Sequence, residues 1–434
     1  MSLNDPAQPP RGMAVKLAAS CGVIGLLLVA WILLAPDNES PSDLATAPES
    51  TTSTTTEAVA PTAAKSLSEP VAAEIPATNV PDSSDDRVPG HPTIGIERGS
   101  GVATEAEIET ETATPAPAPT SAPATGPAPV SIGRPSCSSG LGAQSTQTAP
   151  FTGLTSSIHA GMPAVVVKVS NNSSASRRSL IGLDQADIVF EERIEASATR
   201  FFSVFHSNLP PNVGPVRSGR TSDLQLTLNL NQPVFAYSGS NDGVARQIKF
   251  AADNGILVPF VNTDSAPFIR DGRYSAPDNL FVDPAGLGAC GGAKSPTAIF
   301  SYGGASSTTA SPASSVSLSA RSSYRFDWDG SHWVRSQDGT THTTREGIAL
   351  APKNVVVMFV AYLPSEIDSQ SVDAQTVGSG TAWIFRDGTA TEGSWTRTRG
   401  GQQYSLTDGN GAAVNLAPGQ TWVVLAPEGT ASYG

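Results

Sequence analysis

The 434-residue chain has only three cysteines and lacks the short motifs by which many enzymes are identified. It contains no Cys/His spacing suited to a metal ion and no phosphate-binding loop, so neither a metal nor a cofactor is predicted. Ser218 stands in Arg-Ser-Gly and not in the Gly-x-Ser-x-Gly turn of serine hydrolases. No complete catalytic signature is present, and an enzyme is therefore the less favoured interpretation.

The three cysteines lie far apart in the chain. Cys21 is within an apolar run, whereas Cys137 and Cys290 are in the part predicted to be exported. Exported proteins meet oxidising conditions, so a Cys137–Cys290 disulfide is one interpretation. Two unpaired thiols are the alternative, because pairing requires that the sulfurs meet in space. A nucleophilic Cys290 is disfavoured because no histidine is next to it.

The net charge is distributed unevenly along the chain. Residues 36–150 hold 15 acidic and 4 basic side chains, whereas residues 151–434 hold 23 and 20. The net charge of −13 therefore comes mainly from the segment 36–150, which is rich in Pro, Ala, Thr and Ser. This composition predicts a disordered tether. The balanced charge of residues 151–434 gives no support for nucleic-acid binding.

The longest apolar run, Leu17 to Ala35, contains no charged residue and follows Arg11 and Lys16. It is close to the roughly 20 residues that a helix needs to cross a bilayer. Positive charge before the run predicts residues 1–16 in the cytoplasm and an extracytoplasmic C-terminal domain. We therefore predict a single-pass signal anchor at residues 17–35, which attaches the chain to the cell membrane.

Two other interpretations of this run are a cleavable signal peptide and a lipoprotein signal with Cys21 as the acylated residue. Ala35 is the best small residue for cleavage, but Pro36 follows it. The apolar stretch also continues beyond Cys21, which is the wrong order for a lipoprotein signal. Both alternatives are less favoured than the signal anchor.

The remaining residues contain alternating and continuous apolar runs. Residues 151–300 combine predicted strands, such as Val165 to Val169 in PAVVVKV, with helices. One helix is predicted to begin with Thr221 or Ser222 as its N-cap. Residues 301–434 contain mainly strands, with hairpin turns predicted at Asp329-Gly330 and Asp387-Gly388. We expect an α/β fold, a layered sandwich of mixed β-sheets with helices and a β-rich C-terminal portion.

Several segments follow one another in the chain, among them FTGL, LDQADIVFEERIEASATRFFSVF, VGPVRSGRTSD and APDNLF. In series they resemble the YerB-like lipoproteins, a bacterial family of unknown function. The resemblance covers residues 151–427 and implies an exported, membrane-attached protein with a layered α/β sandwich and no established activity. Two departures are a spanning helix in place of a lipidated cysteine, and Pro277-Asp278-Asn279 where the family typically has Pro-His-Asn. Without that histidine, the natural general base is missing.

The polar residues that match the family supply the candidate ligand-binding site. They are Glu191, Glu195, Thr199, Arg200, Arg217, Ser218, Arg220, Arg270, Arg273, Asp278 and Asn279. Glu191 and Glu195 would share one face of a strand, and Arg217 and Arg220 would share one side of a helix start.

We hypothesise that these residues form a cleft that binds peptidoglycan or a wall-synthesis partner, because Arg and Glu suit a ligand with carboxylates and hydroxyls. A purely structural ion-pair network is an equal alternative. A third is a wall-modifying hydrolase with Glu191 and Glu195 as acid and base. Geometry disfavours it, because four strand residues span about 13 Å, more than the roughly 5–9.5 Å between catalytic carboxyl groups.

Overall fold

The computed structural model describes residues 137, 140–262, 266–290, 294–304 and 307–434. The predicted cytoplasmic segment, the predicted membrane span and most of the predicted tether lie outside these residues. Within the described part of the chain, no helix is long and apolar enough to span a bilayer. The end of the predicted tether, residues 144–148, forms a strand, because its backbone pairs with residues 155–159.

The elements are numbered in chain order. The strands of the first portion are β1 (Gln144–Thr148), β2 (Thr155–His159), β3 (Val165–Ser170), β4 (Ile188–Arg193), β5 (Thr199–Phe205), β6 (Val234–Tyr237), β7 (Val258–Val261), β8 (Phe268–Arg270) and β9 (Leu280–Val282). Its helices are α1 (Ser174–Ser179), α2 (Thr221–Thr227), α3 (Asp242–Asp253) and α4 (Pro284–Gly288), with 3-10 turns at Leu183–Gln185 and Glu195–Ser197.

The second portion consists of strands and loops. Its strands are β10 (Ser311–Pro312), β11 (Ser315–Ser319), β12 (Ser323–Trp328), β13 (Trp333–Gln337), β14 (Thr340–Thr341), β15 (Asn354–Phe359), β16 (Tyr362–Ser365), β17 (Asp368–Ala374), β18 (Gly378–Arg386), β19 (Thr389–Arg397), β20 (Ser405–Asp408), β21 (Thr421–Ala426) and β22 (Ala431–Tyr433).

An eleven-stranded mixed sheet joins the two portions. Its order is β10-β19-β18-β15-β21-β4-β5-β3-β6-β7, with β20 paired to β19. Strand β21 lies between β15 and β4 and runs parallel to both. The described residues are thus β-rich, with mixed sheets and few helices, which confirms that part of the predicted fold.

Alternate residues of the large sheet pack on its two sides. Val165 and Val167 belong to the apolar cluster that includes Phe326 and Trp333 of a five-stranded sheet, ordered β14-β13-β12-β11-β22. Val166 belongs to a second cluster with residues of α2 and α3. Because successive strand residues point to opposite faces, the continuous run of valines fills both layers.

Local sequence accounts for several of the turns. Asp387 and Gly388 form a two-residue hairpin loop between β18 and β19, both with positive φ (50° and 70°), as the Asp-Gly pair predicts. The predicted N-cap of α2 is wrong by one residue, because the cap is Arg220. The backbone N–H of Arg220 donates to the Asp223 side chain at 2.7 Å, which is the contact that an acidic residue at the third helical position makes with the cap.

A disulfide joins Cys137 to Cys290. Cys290 follows α4 and is buried, whereas Cys137 precedes β1 by a few residues. The crosslink therefore ties the start of the described chain to the core of the first portion.

The two sheets are linked by an ion pair that is fully buried at both ends. Arg335 of β13 donates from Nη2 to both carboxylate oxygens of Glu191 on β4, at 2.8 and 3.2 Å. Thr199 Oγ1 and Trp422 Nε1 donate to the same carboxylate at 2.9 and 3.0 Å. The Arg335 guanidinium also lies 4.9 Å from the ring centre of Tyr324. Removing one of these groups would leave a buried polar partner without its hydrogen bond.

We predict that Arg335→Met lowers the free energy of unfolding by about 3–5 kcal/mol, because it leaves a buried carboxylate without its cation. Combining it with Glu191→Gln removes that charge while an amide oxygen still accepts from Trp422, so most of the loss is expected to be recovered. Urea denaturation of both variants measures the difference. A double variant no more stable than the single one would contradict this account.

The buried His206 ring is the basis of a prediction about how stability depends on pH. Burial lowers its pKa to about 4, and its Nε2 atom lies 3.1 Å from the Met162 carbonyl oxygen. Between pH 6.5 and 4 the unfolded chain therefore binds a proton that the folded chain does not, so stability falls as pH falls. The variant His206→Gln keeps a donor but does not titrate. Relative to it, the native protein should lose up to roughly 3 kcal/mol of its free energy of unfolding over this range. Equal slopes of the free energy of unfolding against pH for the two proteins, measured from pH 7 to pH 4, would refute the assignment.

Candidate functional site

The carboxyl ends of β3, β4 and β6 lie at the same edge of the large sheet, because β5 runs antiparallel to both β3 and β4 while β6 runs parallel to β3. Strand β5 begins at that edge, so Arg200 lies between Ser170 and Glu192 in the register of its neighbours. Ligand sites of open α/β sheets form outside the carboxyl ends of parallel strands. This edge is therefore where a site is expected.

The loop that contains Arg217, Ser218 and Arg220 closes over this edge. The backbone N–H of Arg217 donates to the Lys168 carbonyl at 2.8 Å, and Ser238 N donates to the Arg217 carbonyl at 2.9 Å. The Ser218 hydroxyl donates to the Ser238 carbonyl at 3.1 Å. The ends of β3 and β6 thus fix the loop, and they bring its arginines to the start of β5.

Arg200, Arg217 and Arg220 form a group that we name the arginine cluster. Arg200 is 6% exposed and donates from Nη1 to the Ser218 carbonyl at 3.0 Å. Burial lowers the pKa of Arg200 to about 10, and the charges of Arg220 and Arg217 act in the same direction. The three cations are therefore close enough to repel one another.

Two of these arginines form ion pairs with carboxylates. Arg217 Nη2 donates to Asp278 Oδ1 at 2.8 Å. Arg220 binds both oxygens of Glu195, with N–O distances of 2.6 and 3.0 Å. Burial alone would raise the pKa of Glu195, but hydrogen bonds from Arg220 and Ser371 outweigh it and lower the pKa. Glu195 is therefore ionised at neutral pH.

Arg200 has no such partner. Within the described part of the chain it forms no ion pair within 4 Å, and its Nε–H meets no acceptor. Nη1 of Arg200 donates to Ser218, but its buried Nε–H lacks an acceptor, which is energetically unfavourable. An oxyanion at this position would therefore be stabilised by Arg200.

Beneath the cluster lies a buried charged group that the sequence interpretation missed. Lys168 Nζ donates to Glu192 and, at 2.6 Å, to Asp223 Oδ1. Burial and the charge of Asp223 raise the pKa of Glu192 above its usual value, against the opposing effect of Lys168. Asp223 also holds the backbone N–H of Arg220, so the group positions the loop. A single Lys in an otherwise valine-rich strand was the available signal.

The other predicted site residues lie elsewhere. Glu191 is 1% exposed and belongs to the contact with Arg335, so the expectation that it shares a face with Glu195 is not met. Strand β4 ends at Arg193, and Glu195 lies in the following 3-10 turn. Arg270 donates to Asn279 at 3.1 Å, and Arg273 pairs with Asp271 at 2.6 Å. These last contacts belong to the β8–β9 hairpin.

The arginine cluster combines guanidinium donors with one partly exposed carboxylate, Glu195. Among the described residues, no group of three or more His, Cys, Asp or Glu side chains could hold a metal ion. Glu195 is the candidate carboxylate with solvent access, and Arg220 and Ser371 hold it in its ionised form. The arginine cluster can bind and orient an oxyanion by charge-assisted hydrogen bonds.

Comparison with known proteins identifies the family. Residues 151–297 match the family model described as "Protein of unknown function (DUF3048) N-terminal domain", and residues 314–423 match the corresponding C-terminal domain. The Bacillus subtilis (strain 168) protein named "Putative lipoprotein YerB" is 27% identical over 299 residues, which cover 64% of this chain and 86% of that protein.

A crystal structure of the YerB protein from Bacillus subtilis has the same fold. It superimposes with a TM-score of 0.55 and 23% identity, over 66% of this chain and 99% of that one. The resemblance to the YerB-like proteins is thereby confirmed. The chain belongs to the DUF3048 family, whose N- and C-terminal domains it carries in order.

Proposed function

We propose that this chain is a membrane-anchored, extracytoplasmic binding protein of the cell envelope, and that the arginine cluster binds an anionic ligand. The observation that carries the proposal is Arg200, a buried guanidinium that has no ion-pair partner among the described residues and an unpaired Nε–H. Arg217 and Arg220 lie beside it with partly exposed side chains, 15% and 16%. A ligand can therefore reach the cluster from solvent.

The ligand class follows from these donors and from the location. Guanidinium forks match carboxylate and phosphate groups, and the partly exposed Glu195 carboxylate can accept from a ligand that also carries hydroxyl groups. Peptidoglycan carries both kinds of group. We infer that a wall polymer of this type is the ligand, and that a protein of wall synthesis is the second candidate.

The hydrolase alternative has weaker support. Its two carboxylates would be Glu191 and Glu195, but Glu191 is sealed between the two sheets by Arg335, Trp422 and Thr199. A residue without solvent access cannot protonate a glycosidic oxygen.

The anchor is proposed from sequence and relationship. Residues 17–35 would span the membrane, and the acidic tether would hold the folded part away from it. The relative in Bacillus subtilis is named a lipoprotein, so acylation of Cys21 is the competing mode of attachment.

Cys21→Ser tests the mode of attachment. We expect the variant to stay in the membrane fraction after an alkaline wash, because a spanning helix needs no thiol. Leu26→Arg with Leu28→Arg is the control expected to release the protein, since each central arginine costs roughly 2.5–3.5 kcal/mol of insertion free energy. Loss of Cys21→Ser protein from the membrane fraction would establish lipid attachment instead.

Arg217→Ala combined with Arg220→Ala tests the ligand site. The detergent-solubilised full-length protein is incubated with purified cell wall and sedimented. We expect the double variant to bind at least about tenfold more weakly, because each arginine supplies charge-assisted hydrogen bonds. The matched control is Arg246→Ala with Lys249→Ala, which removes two exposed cations from α3 and should leave binding unchanged.

Three results would count against the proposal. Equal weakening by both double variants would indicate nonspecific attraction of charges. A large fall in the melting temperature of the Arg217 and Arg220 variant would favour a structural ion-pair network. Release of soluble muropeptides by the native protein would support the hydrolase.

A further inference from the structure

A second cationic cleft lies between α1 and the end of the five-stranded sheet. It has a volume of about 420 Å³ and shares no lining residue with the arginine cluster. Arg177 and Arg178 border it from the last turn of α1, and Arg345 borders it from the loop after β14. Much of the remaining wall consists of four threonines, Thr340, Thr341, Thr343 and Thr344.

His342 also lines the cleft and carries a buried ring nitrogen without a hydrogen-bond partner. Its Nδ1 atom is bonded to Arg335 Nη1. A guanidinium only donates, so Nδ1 must be the acceptor. Burial, together with the charges of Arg335 and Arg177, lowers the pKa of His342 well below its usual value, so the ring is neutral. The single ring proton is therefore on Nε2.

That Nε2 proton has no acceptor in the described part of the chain, although the histidine is only 4% exposed. A buried donor without an acceptor costs about 1–3 kcal/mol. Because His342 borders the cleft, an oxyanion bound there is a candidate acceptor for this proton. The donor belongs to a side chain other than the arginines of the cleft, and it suits a ligand of the same chemistry.

The arginines of the cleft are only partly neutralised. Arg177 lies 3.8 Å from Asp338, and both side chains are substantially exposed. Arg178 is exposed and forms no ion pair among the described residues. Arg345 binds Asp271 at 3.0 Å and packs over the Phe281 ring, which holds its guanidinium in place. Asp338 is the one acidic lining residue, and it can accept from a ligand hydroxyl.

We propose that this cleft binds a phosphate group carried by a small polar organic moiety, such as a phosphomonoester of a polyol or sugar. Donors approach from three chain segments, α1, the threonines and Arg345, which suits a tetrahedral phosphate better than a planar carboxylate. The volume of the cleft exceeds that of a bare phosphate ion and leaves room for the organic part. The threonine hydroxyls and Asp338 would bind that part through its hydroxyl groups.

Calorimetric titration of the full-length protein with glycerol phosphate tests the proposal, at about 0.15 M salt to screen diffuse charge effects. Glycerol and acetate are titrated as the neutral and carboxylate comparisons. We expect saturable binding of glycerol phosphate, and binding at least about tenfold weaker for Arg177→Ala with Arg178→Ala. The pair Arg246→Ala and Lys249→Ala on α3 should bind as the native protein does.

The variant His342→Asn tests the contribution of the buried donor separately from that of the arginines. Asparagine can place an oxygen near the Nδ1 position for Arg335, but it has no donor at the Nε2 position. We expect weaker glycerol phosphate binding with an unchanged melting temperature. Nitrogen NMR of the native histidine should show the Nε2-protonated neutral ring, with its Nε2 resonance shifting on titration.

Four results would overturn the proposal. These are no binding of glycerol phosphate at millimolar concentration, acetate binding as tightly as the phosphate, equal losses in the two double-alanine variants, and a native His342 ring protonated on Nδ1. If His342→Asn unfolds, the arginine pair and the NMR measurement still decide the question.

Discussion

The ion pair between Arg335 and Glu191 is the constraint on which the rest of the fold depends. It connects a strand of the small sheet to a central strand of the large one, and both side chains are fully buried. Such a pair does not add much stability by itself, since desolvation offsets most of the attraction. It does strongly disfavour arrangements in which either partner lacks the other. The pair therefore fixes how β13 is placed over β4.

Strand β4 also places a charged side chain on the opposite face of the sheet. Glu192 follows Glu191 and, because side chains alternate along a strand, it points away from Arg335 toward Lys168 and Asp223. Asp223 in turn accepts from the backbone N–H of Arg220, the residue that caps the start of α2. Two adjacent glutamates thus serve two roles, one between the sheets and one beneath the arginine cluster.

Sequence patterns predicted the local structure of the domain well and the pairing of its charges poorly. Valine-rich runs and the Asp387-Gly388 turn specify strands and a hairpin through nearby residues alone. The partner of Glu191 is 144 positions away, and no periodicity reveals it. Glu195 was placed beside Glu191 because a strand was assumed to continue, but β4 ends at Arg193. Arg217 and Arg220 were expected on one side of a helix start, but both precede α2, which begins at Thr221, and their neighbours depend on strand order.

Helix α1 connects the two cationic regions. Ser173 at its start lies 3.5 Å from Asp278, the partner of Arg217, while Arg177 and Arg178 at its end border the second cleft. Five helical residues span about 8 Å. Residues 151–434 carry nearly balanced charge, so the proposed anion binding depends on where arginines are held and not on the net field of the domain. Arginine suits that role because its guanidinium stays charged when buried and donates in fixed directions, as Arg335 does toward Glu191 and His342.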